Sequence, residues 1–300
     1  MTAAAGRPVA NTASRPLGGG RRLPFDWLGA VPFLGYVGLF LLLPTGIVVV
    51  GAFVGNDGPT LANLSYVTKP FIVTSVINSL IVSTITAVLG AILGALMAYA
   101  LATGNPNGAL RRLVSSACGV LAQFGGVILA FAFIATIGGA GFVTVFLLSH
   151  GIDIFPNGIW LYTLPGLMLV YMYFQIPLMV LVFLPALDGI RPQWREATES
   201  LGGSTWHYWR YVAGPLLAPA FLGAALLLFA NAFSAYATVA ALINQGGIVL
   251  PLQIGNALTS ETGSHDPGVA KALALVMVII VAAVMTLYAI LSQRTAKWLR

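Results

Sequence analysis

The sequence predicts an all-α polytopic membrane protein with six transmembrane helices and both termini on the cytoplasmic side. Three observations predict it. Only 7 % of the 300 residues are charged, against roughly a quarter in a soluble domain. Hydrophobic residues make up 58 % and mean hydropathy is +0.92, more apolar surface than a water-soluble fold of this size can hide. The apolar residues also run on continuously, without the ten-residue alternation that a transmembrane β-barrel needs.

In chain order, residues 1–24 hold Arg7, Arg15, Arg21 and Arg22 among Gly, Pro, Ala and Ser, with no apolar period, and read as a flexible cytoplasmic tail. The apolar stretch after this tail is too long for a signal peptide, so it is expected to be a retained first span. A span needs about 20 apolar residues to cross about 30 Å of hydrocarbon. Six runs meet that need, at about 28–53, 72–103, 112–138, 160–187, 215–243 and 269–293, making residues 25–300 one membrane domain. Pro44, Pro165 and Pro177 fall inside or at the ends of these runs, where neighbouring helices can satisfy the freed backbone groups. After the third run, Gly138-Gly139-Ala140-Gly141 makes a turn, and Phe142–Leu148 is too short to span. That segment is expected to be an interfacial or re-entrant helix at the outer mouth.

Basic residues set the orientation. Twelve of the fourteen fall in the tail, in the 2–3 loop (Arg111, Arg112), in the 4–5 loop (Arg191, Arg195, Arg210) and after the last span (Arg294, Lys297, Arg300). Lys69 and Lys271 are left for the outside, with Asp57, Asp153, Glu261 and Asp266 as a mildly acidic outer rim. A net charge of +6 would suggest nucleic acid in a soluble chain, but no basic run interleaved with aromatics exists, so no nucleic-acid partner is expected. Cys118 is the only cysteine, which excludes an internal disulfide and speaks against zinc or redox chemistry.

The 4–5 loop, about 188–214, concentrates the charge: Asp188, Arg191, Arg195, Glu196, Glu199 and Arg210. Pro192 suits a helix start, Arg195 to Leu201 a short helix, and Gly202-Gly203 its end. Glu196 and Glu199, three apart, share one face. Paired carboxylates suit acid–base or metal chemistry; a solvated face is the plainer reading. A short helix presented for docking on a soluble partner fits better, with small residues allowing close contact and charges fixing orientation. The next stretch, Ser204 to Val212, carries Trp206, Tyr208 and Trp209, and is expected to lie along the membrane surface.

The run Glu196-Ala197-Thr198-x-x-Leu201-Gly202, nine residues, then Val212-x-Gly214-Pro215, resembles the Glu-Ala-Ala loop of bacterial ATP-binding-cassette (ABC) importer permeases. Two positions depart from that pattern: Thr198 stands for the second Ala, and Gly214 for Leu, which would loosen the start of span 5. Asn63-Leu64, Asn78-Ser79-Leu80, the Gly138–Gly141 turn and Pro219 extend the resemblance from about residue 60 onward, most closely to the first permease of polyamine-type importers. The resemblance implies a type I ABC importer permease (MetI-like) fold in the bacterial cytoplasmic (inner) membrane. It implies four kinds of partner: a second permease subunit, a dimer of ABC ATPases, an extracytoplasmic substrate-binding protein and membrane lipid. The coupling residues it implies are Arg195, Glu196, Ala197, Thr198, Glu199, Leu201, Gly202, Gly203 and Pro215. No cofactor is expected in this chain, and ATP and Mg belong to the partner ATPase. The residues agree, since no G-x-x-x-x-G-K-[ST] occurs to cradle phosphates.

Polar residues at membrane depth are costly and mark either interhelical hydrogen bonds or a pathway. The candidates for a pathway are Asn78, Gln175, Asn231, Ser234 and Tyr236, with both readings open for Gln175 and Asn231. Gly90, Gly94 and Ala98 form a small-residue ridge suited to helix packing. A secondary transporter or channel subunit is the alternative, but it would want carboxylates inside the spans, and all eight acids fall in loops or at span ends. An intramembrane enzyme is disfavoured. His150, His207 and His265 lie outside the spans, no H-E-x-x-H or G-x-S-x-G occurs, and neither catalytic nor metal-binding residues are expected.

Overall fold

The computed structural model describes residues 31–55, 58–105, 107–156, 158–243, 248–259 and 266–296. The predicted tail 1–24, Asp57, Glu261 and His265 lie outside the described residues. Two compact units divide at Ile47. In the first, α1 (Val31–Val37) runs through a π turn at Gly38–Leu42 into α2 (Leu43–Gly51), which extends beyond the boundary. The π turn ends two residues before Pro44, whose ring cannot tolerate a regular turn against the carbonyl four residues back; the wider turn removes the conflict.

The second unit starts with a two-stranded hairpin, β1 (Val54–Gly55) and β2 (Gly58–Pro59), pairing Val54 with Pro59 and Gly55 with Gly58. A single turn, α3 (Ala62–Ser65), carries Asn63, whose Nδ2 donates to the carbonyl of Val54 at 3.2 Å. Asn63 is thus the fastener of the first outer connection. Next comes α4 (Pro70–Thr103), the longest helix described, starting on a proline where no intrahelical N–H is needed. After it come α5 (Ala109–Gln123), α6 (Gly126–Ile137), α7 (Phe142–Ser149) and α8 (Leu164–Asp188). The chain continues with α9 (Pro192–Ser200), α10 (Thr205–Tyr208), a second π turn at Trp209–Ala213, and α11 (Gly214–Ser234). It closes with α12 (Ala237–Leu242), α13 (Leu250–Thr259) and α14 (Pro267–Ala296).

Six stretches are long and apolar enough to span: Val31–Gly51, Pro70–Thr103, Gly126–Ser149, Leu164–Asp188, Thr205–Ser234 and Pro267–Ile290. Three boundaries differ from expectation. The third run is not one helix over 112–138: it breaks at Phe124–Gly125, where Gly126 takes φ +71°. Its outer part continues as α6, the predicted glycine turn, and α7, a separate eight-residue helix. The fifth run, expected to be unbroken over 215–243, stops at Ser234 and restarts at Ala237. Residues 204–212 do not form a separate surface helix: α10 and the π turn lead straight into α11 as the first turns of the fifth span.

The packing seam is α4 against α8. A Cβ on Gly94 would collide with the Met179 side chain and the Ile176 carbonyl, and one on Gly90 would lie 2.9 Å from Gln175 Cβ. The small-residue ridge is therefore what lets the two backbones approach. Two apolar clusters share α8. Met179, Phe183 and Leu187 pack with Ala91, Ala98, Cys118, Leu217, Leu228 and Leu273; Val170 and Phe174 pack with Val82, Leu129, Ala232, Val239 and Leu252.

Candidate functional site

The charged 4–5 connection stands off the bundle as a compact helical knuckle. Pro192 opens α9, and Arg195, Glu196, Ala197 and Glu199 all lie exposed on it. The Arg195 Nε donates to Glu199 Oε1 at 2.9 Å, one turn apart. That hydrogen bond, then the carboxylate charge, holds the guanidinium above its usual range. Glu196 has no ion-pair partner among the described residues, so the two carboxylates are presented unequally, one engaged and one free. Leu201 comes next at 88 % exposure, an apolar side chain offered outward at the helix end.

The knuckle closes on itself through its glycines. Gly202 adopts φ +79°, the left-handed form that ends helices, and its N–H donates to the Glu199 carbonyl at 3.0 Å. Gly203 N–H donates to the Thr198 carbonyl at 2.9 Å, and a Cβ there would sit 2.7 Å from Thr198 Cγ2. Thr198, the departure from the family pattern, is accommodated because its neighbour has no side chain; its Oγ1 donates to the Trp194 carbonyl at 2.8 Å. Ser204 and His207 then cap α10 reciprocally. Below, Trp209 meets Tyr99 of α4 edge-on with centroids 5.4 Å apart.

The second departure from the pattern also has a structural reason. The π turn at Trp209–Ala213 ends two residues before Pro215, as the first ends two before Pro44. The N–H of Gly214 reaches back five residues to the Trp209 carbonyl. A Cβ at 214 would run into that carbonyl, so this turn leaves no room for a side chain there, whereas the first π turn holds Leu43 at the matching place.

The candidate pathway residues separate into two groups. Asn78 Nδ2 donates to the Ile248 carbonyl at 3.1 Å, and Gln175, fully buried, donates from Nε2 to Thr86 Oγ1 at 3.3 Å. Gln175 Oε1 has no partner among the described residues. Both side chains lie in seams inside the bundle. Asn231 is half-buried, Ser234 is exposed and donates to the Ala230 carbonyl, and Tyr236 is 45 % exposed; these three cluster where the fifth span breaks.

That break is knitted to the break in the third span, a feature that the sequence does not announce. Gly126 N–H donates to Thr238 Oγ1 at 3.0 Å, and Tyr171 OH donates to the Ala235 carbonyl at 3.0 Å. Two discontinuous helices thus meet at their breaks, where a freed N–H and a freed carbonyl are each taken up by a side chain. Gly125-Gly126 within an apolar run was the signal available for one of them; Ser234-Ala235-Tyr236-Ala237 offers none.

A family model described as the binding-protein-dependent transport system inner membrane component matches residues 140–297, which takes in α9 and its glycine turn. The chain belongs to this family. The permease is 32 % identical over 139 residues to the thiamine transport system permease protein ThiP of Escherichia coli (strain K12), and equally to that of Salmonella typhimurium (strain LT2). The match covers 45 % of this chain but only 24 % of those relatives, so it spans about a quarter of their length. Among solved structures, a bacterial ABC transporter involved in import of the acidic polysaccharide alginate aligns with TM-score 0.70 and 14 % identity, covering 90 % of this chain and 96 % of that one. The MetNI methionine ABC transporter, in inward-facing form, aligns with TM-score 0.56 and 17 % identity, covering 76 % of this chain and 99 % of that one. At these identities the likeness is one of fold. The permease has the MetI-like fold of type I ABC importers and is a multi-pass protein of the inner membrane.

Proposed function

We propose that the permease pairs with a second permease to form the translocation pathway of an ATP-driven importer, and that α9 is the helix on which a partner ATPase acts. The observation that carries this reading is the knuckle itself: an exposed, charged, glycine-terminated helix joining spans 4 and 5, in a family that works with binding proteins. ATP hydrolysis is assigned to partner subunits, since the chain has no phosphate-cradling loop of its own. ATP-driven approach of the ATPases draws the paired knuckles together and tilts the bundle outward-open; hydrolysis resets it. Ser234, Tyr236 and Asn231, at the double break, are the pathway residues, whereas Asn78 and Gln175 serve as interhelical fasteners.

For substrate, we propose a small organic cation handed over by an extracytoplasmic binding protein. Support comes from the resemblance to polyamine-type permeases, from the thiamine that gives the ThiP relatives their name, and from the acidic outer rim that retains Asp153 and Asp266 among the described residues.

The test is a cross-link. Cysteine at Glu199 is expected to trap the co-purified ATPase, and Glu196→Lys to lower ATPase stimulation while leaving membrane insertion intact. An ATPase that never cross-links to the knuckle in a complex competent for uptake would overturn the coupling role. Melting of the binding protein that delivers to this permease, measured with spermidine, putrescine and thiamine, tests the substrate class. No shift with any of the three sinks it.

A further inference from the structure

Arg111 and Asp188 form an ion pair where the cytoplasmic ends of two helices meet. Arg111 lies in the first turn of α5 and Asp188 is the last residue of α8; Nη2 to Oδ2 is 2.5 Å. The Arg111 side chain is only 18 % exposed, although it belongs to the positively charged rim where guanidinium groups normally point into water. Its neighbour Arg112 stays exposed and reaches only the Asn107 carbonyl of its own loop. Partial withdrawal from solvent makes this pair less screened than the more exposed Arg195–Glu199 pair on α9.

Each end of this contact leads to a functional element. On one side only Gly189, Ile190 and Arg191 separate Asp188 from α9. Those residues are themselves tied down: Gly189 N–H donates to the Pro185 carbonyl and Ile190 N–H to the Leu187 carbonyl, each at 3.1 Å. Ile190 packs onto the same apolar cluster as Leu187 of α8 and Cys118 and Val114 of α5, so the seam beneath the ion pair is apolar. On the other side, α5 runs 15 residues to the break at Phe124–Gly125, beyond which Gly126 is hydrogen-bonded to Thr238 of α12. α5 thus runs from beside the stem of α9 to the break in span 3, while α11, reached from the far end of α9 through α10 and the π turn, runs to the break in span 5.

We infer that the Arg111–Asp188 ion pair bolts α5 to the stem of α9, so that the two move as one body and α5 delivers displacement of α9 to the breaks in spans 3 and 5. The inference rests on the coupling role proposed for α9. Arg111 and Asp188 are positioning residues: they touch neither nucleotide nor solute. Salt bridges at an aqueous rim are usually worth little to stability, which leaves geometry as the reason for this one.

The experiment uses the assembled transporter in lipid nanodiscs, with spin labels on cysteines replacing Leu113 of α5 and Gln193 of α9; both positions are exposed, and Cys118 is 2 % exposed and stays unlabelled. The parent protein is expected to give one narrow Leu113–Gln193 distance that is the same without nucleotide and with ATP–vanadate. D188N, nearly isosteric, and R111Q are each expected to broaden it and to separate the two conditions by several ångströms, and the exchanged pair R111D/D188R to restore the narrow, nucleotide-independent distance. A distance that stays narrow and unchanged in both single variants overturns the bolt, and so does an exchanged pair that fails to restore it. The Glu199→Cys cross-link, run in parallel, keeps the two ideas apart. A nucleotide-free distance that broadens in D188N while no ATPase cross-links retains the bolt and overturns the coupling role.

Discussion

A buried amide between two spans is a test of what polar groups are worth in a membrane bundle. Gln175 donates one hydrogen bond to Thr86 and leaves its carbonyl oxygen without a partner among the described residues. Interhelical hydrogen bonds in membrane proteins average only about 0.6 kcal/mol, and an unpaired buried carbonyl subtracts from that. Gln175→Met, similar in length, is therefore expected to leave the melting temperature of the purified permease within about 2 °C, whereas Gln175→Ala, which opens a cavity, lowers it clearly. A Met variant that melts as low as the Ala variant would show that the amide is essential to packing. Gln175 is also a residue whose burial was legible in the sequence. Its partner was not: in a fully apolar stretch, nothing local points to Thr86.

At the scale of elements, the two π turns share one cause. Each is followed at the same distance by a proline, and the wide turn spares the proline ring a clash. Gly214→Ala pushes a methyl group at the Trp209 carbonyl and is expected to cost about 1–3 kcal/mol. Pro215→Ala allows a regular α turn in which that contact does not arise. The double variant should recover much of the loss, and a thermal-melt double-mutant cycle that comes out additive would refute the shared cause. The knuckle was the most legible element, since Pro192, the spacing of its charges and Gly202-Gly203 all speak locally. The helix break at 234–237 was illegible because no glycine or proline marks it. It is set by groups far away in sequence: the Tyr171 hydroxyl takes up the freed Ala235 carbonyl, and Thr238 just past the break takes up the freed N–H of Gly126. The same holds for residues 204–212: their aromatic content suits a membrane surface, but contact between Trp209 and Tyr99 carries them into the fifth span.

For the whole molecule, composition already decided the environment, and six apolar runs became six candidate spans with shifted ends. Which faces meet was less accessible, because every side of a span is apolar and only the Gly90–Gly94–Ala98 ridge announced the α4–α8 seam. The charge asymmetry predicts a sidedness that can be measured directly. In right-side-out vesicles, a cysteine replacing exposed Asp153 should react with an impermeant maleimide from outside, and one replacing exposed Glu199 only after permeabilisation. The reverse pattern would invert the topology.

The outer end of α4 and the cytoplasmic end of α8 are held by different chemistry. Toward the outer side, α13 is fastened to α4 by uncharged groups: Leu250 N–H donates to Ser79 Oγ at 2.7 Å, and Gln253 Nε2 to Ser75 Oγ at 3.1 Å. Each serine also donates to a carbonyl of its own helix, so one hydroxyl serves two elements. At the cytoplasmic end the fastening is the Arg111–Asp188 charge pair. Dissolved ions weaken the second and leave the first nearly untouched. Ionic strength therefore acts unevenly: added salt is expected to weaken the charge contact at the stem of the knuckle, though less than the more exposed Arg195–Glu199 pair, and to leave the neutral hydrogen bonds of α13 in place.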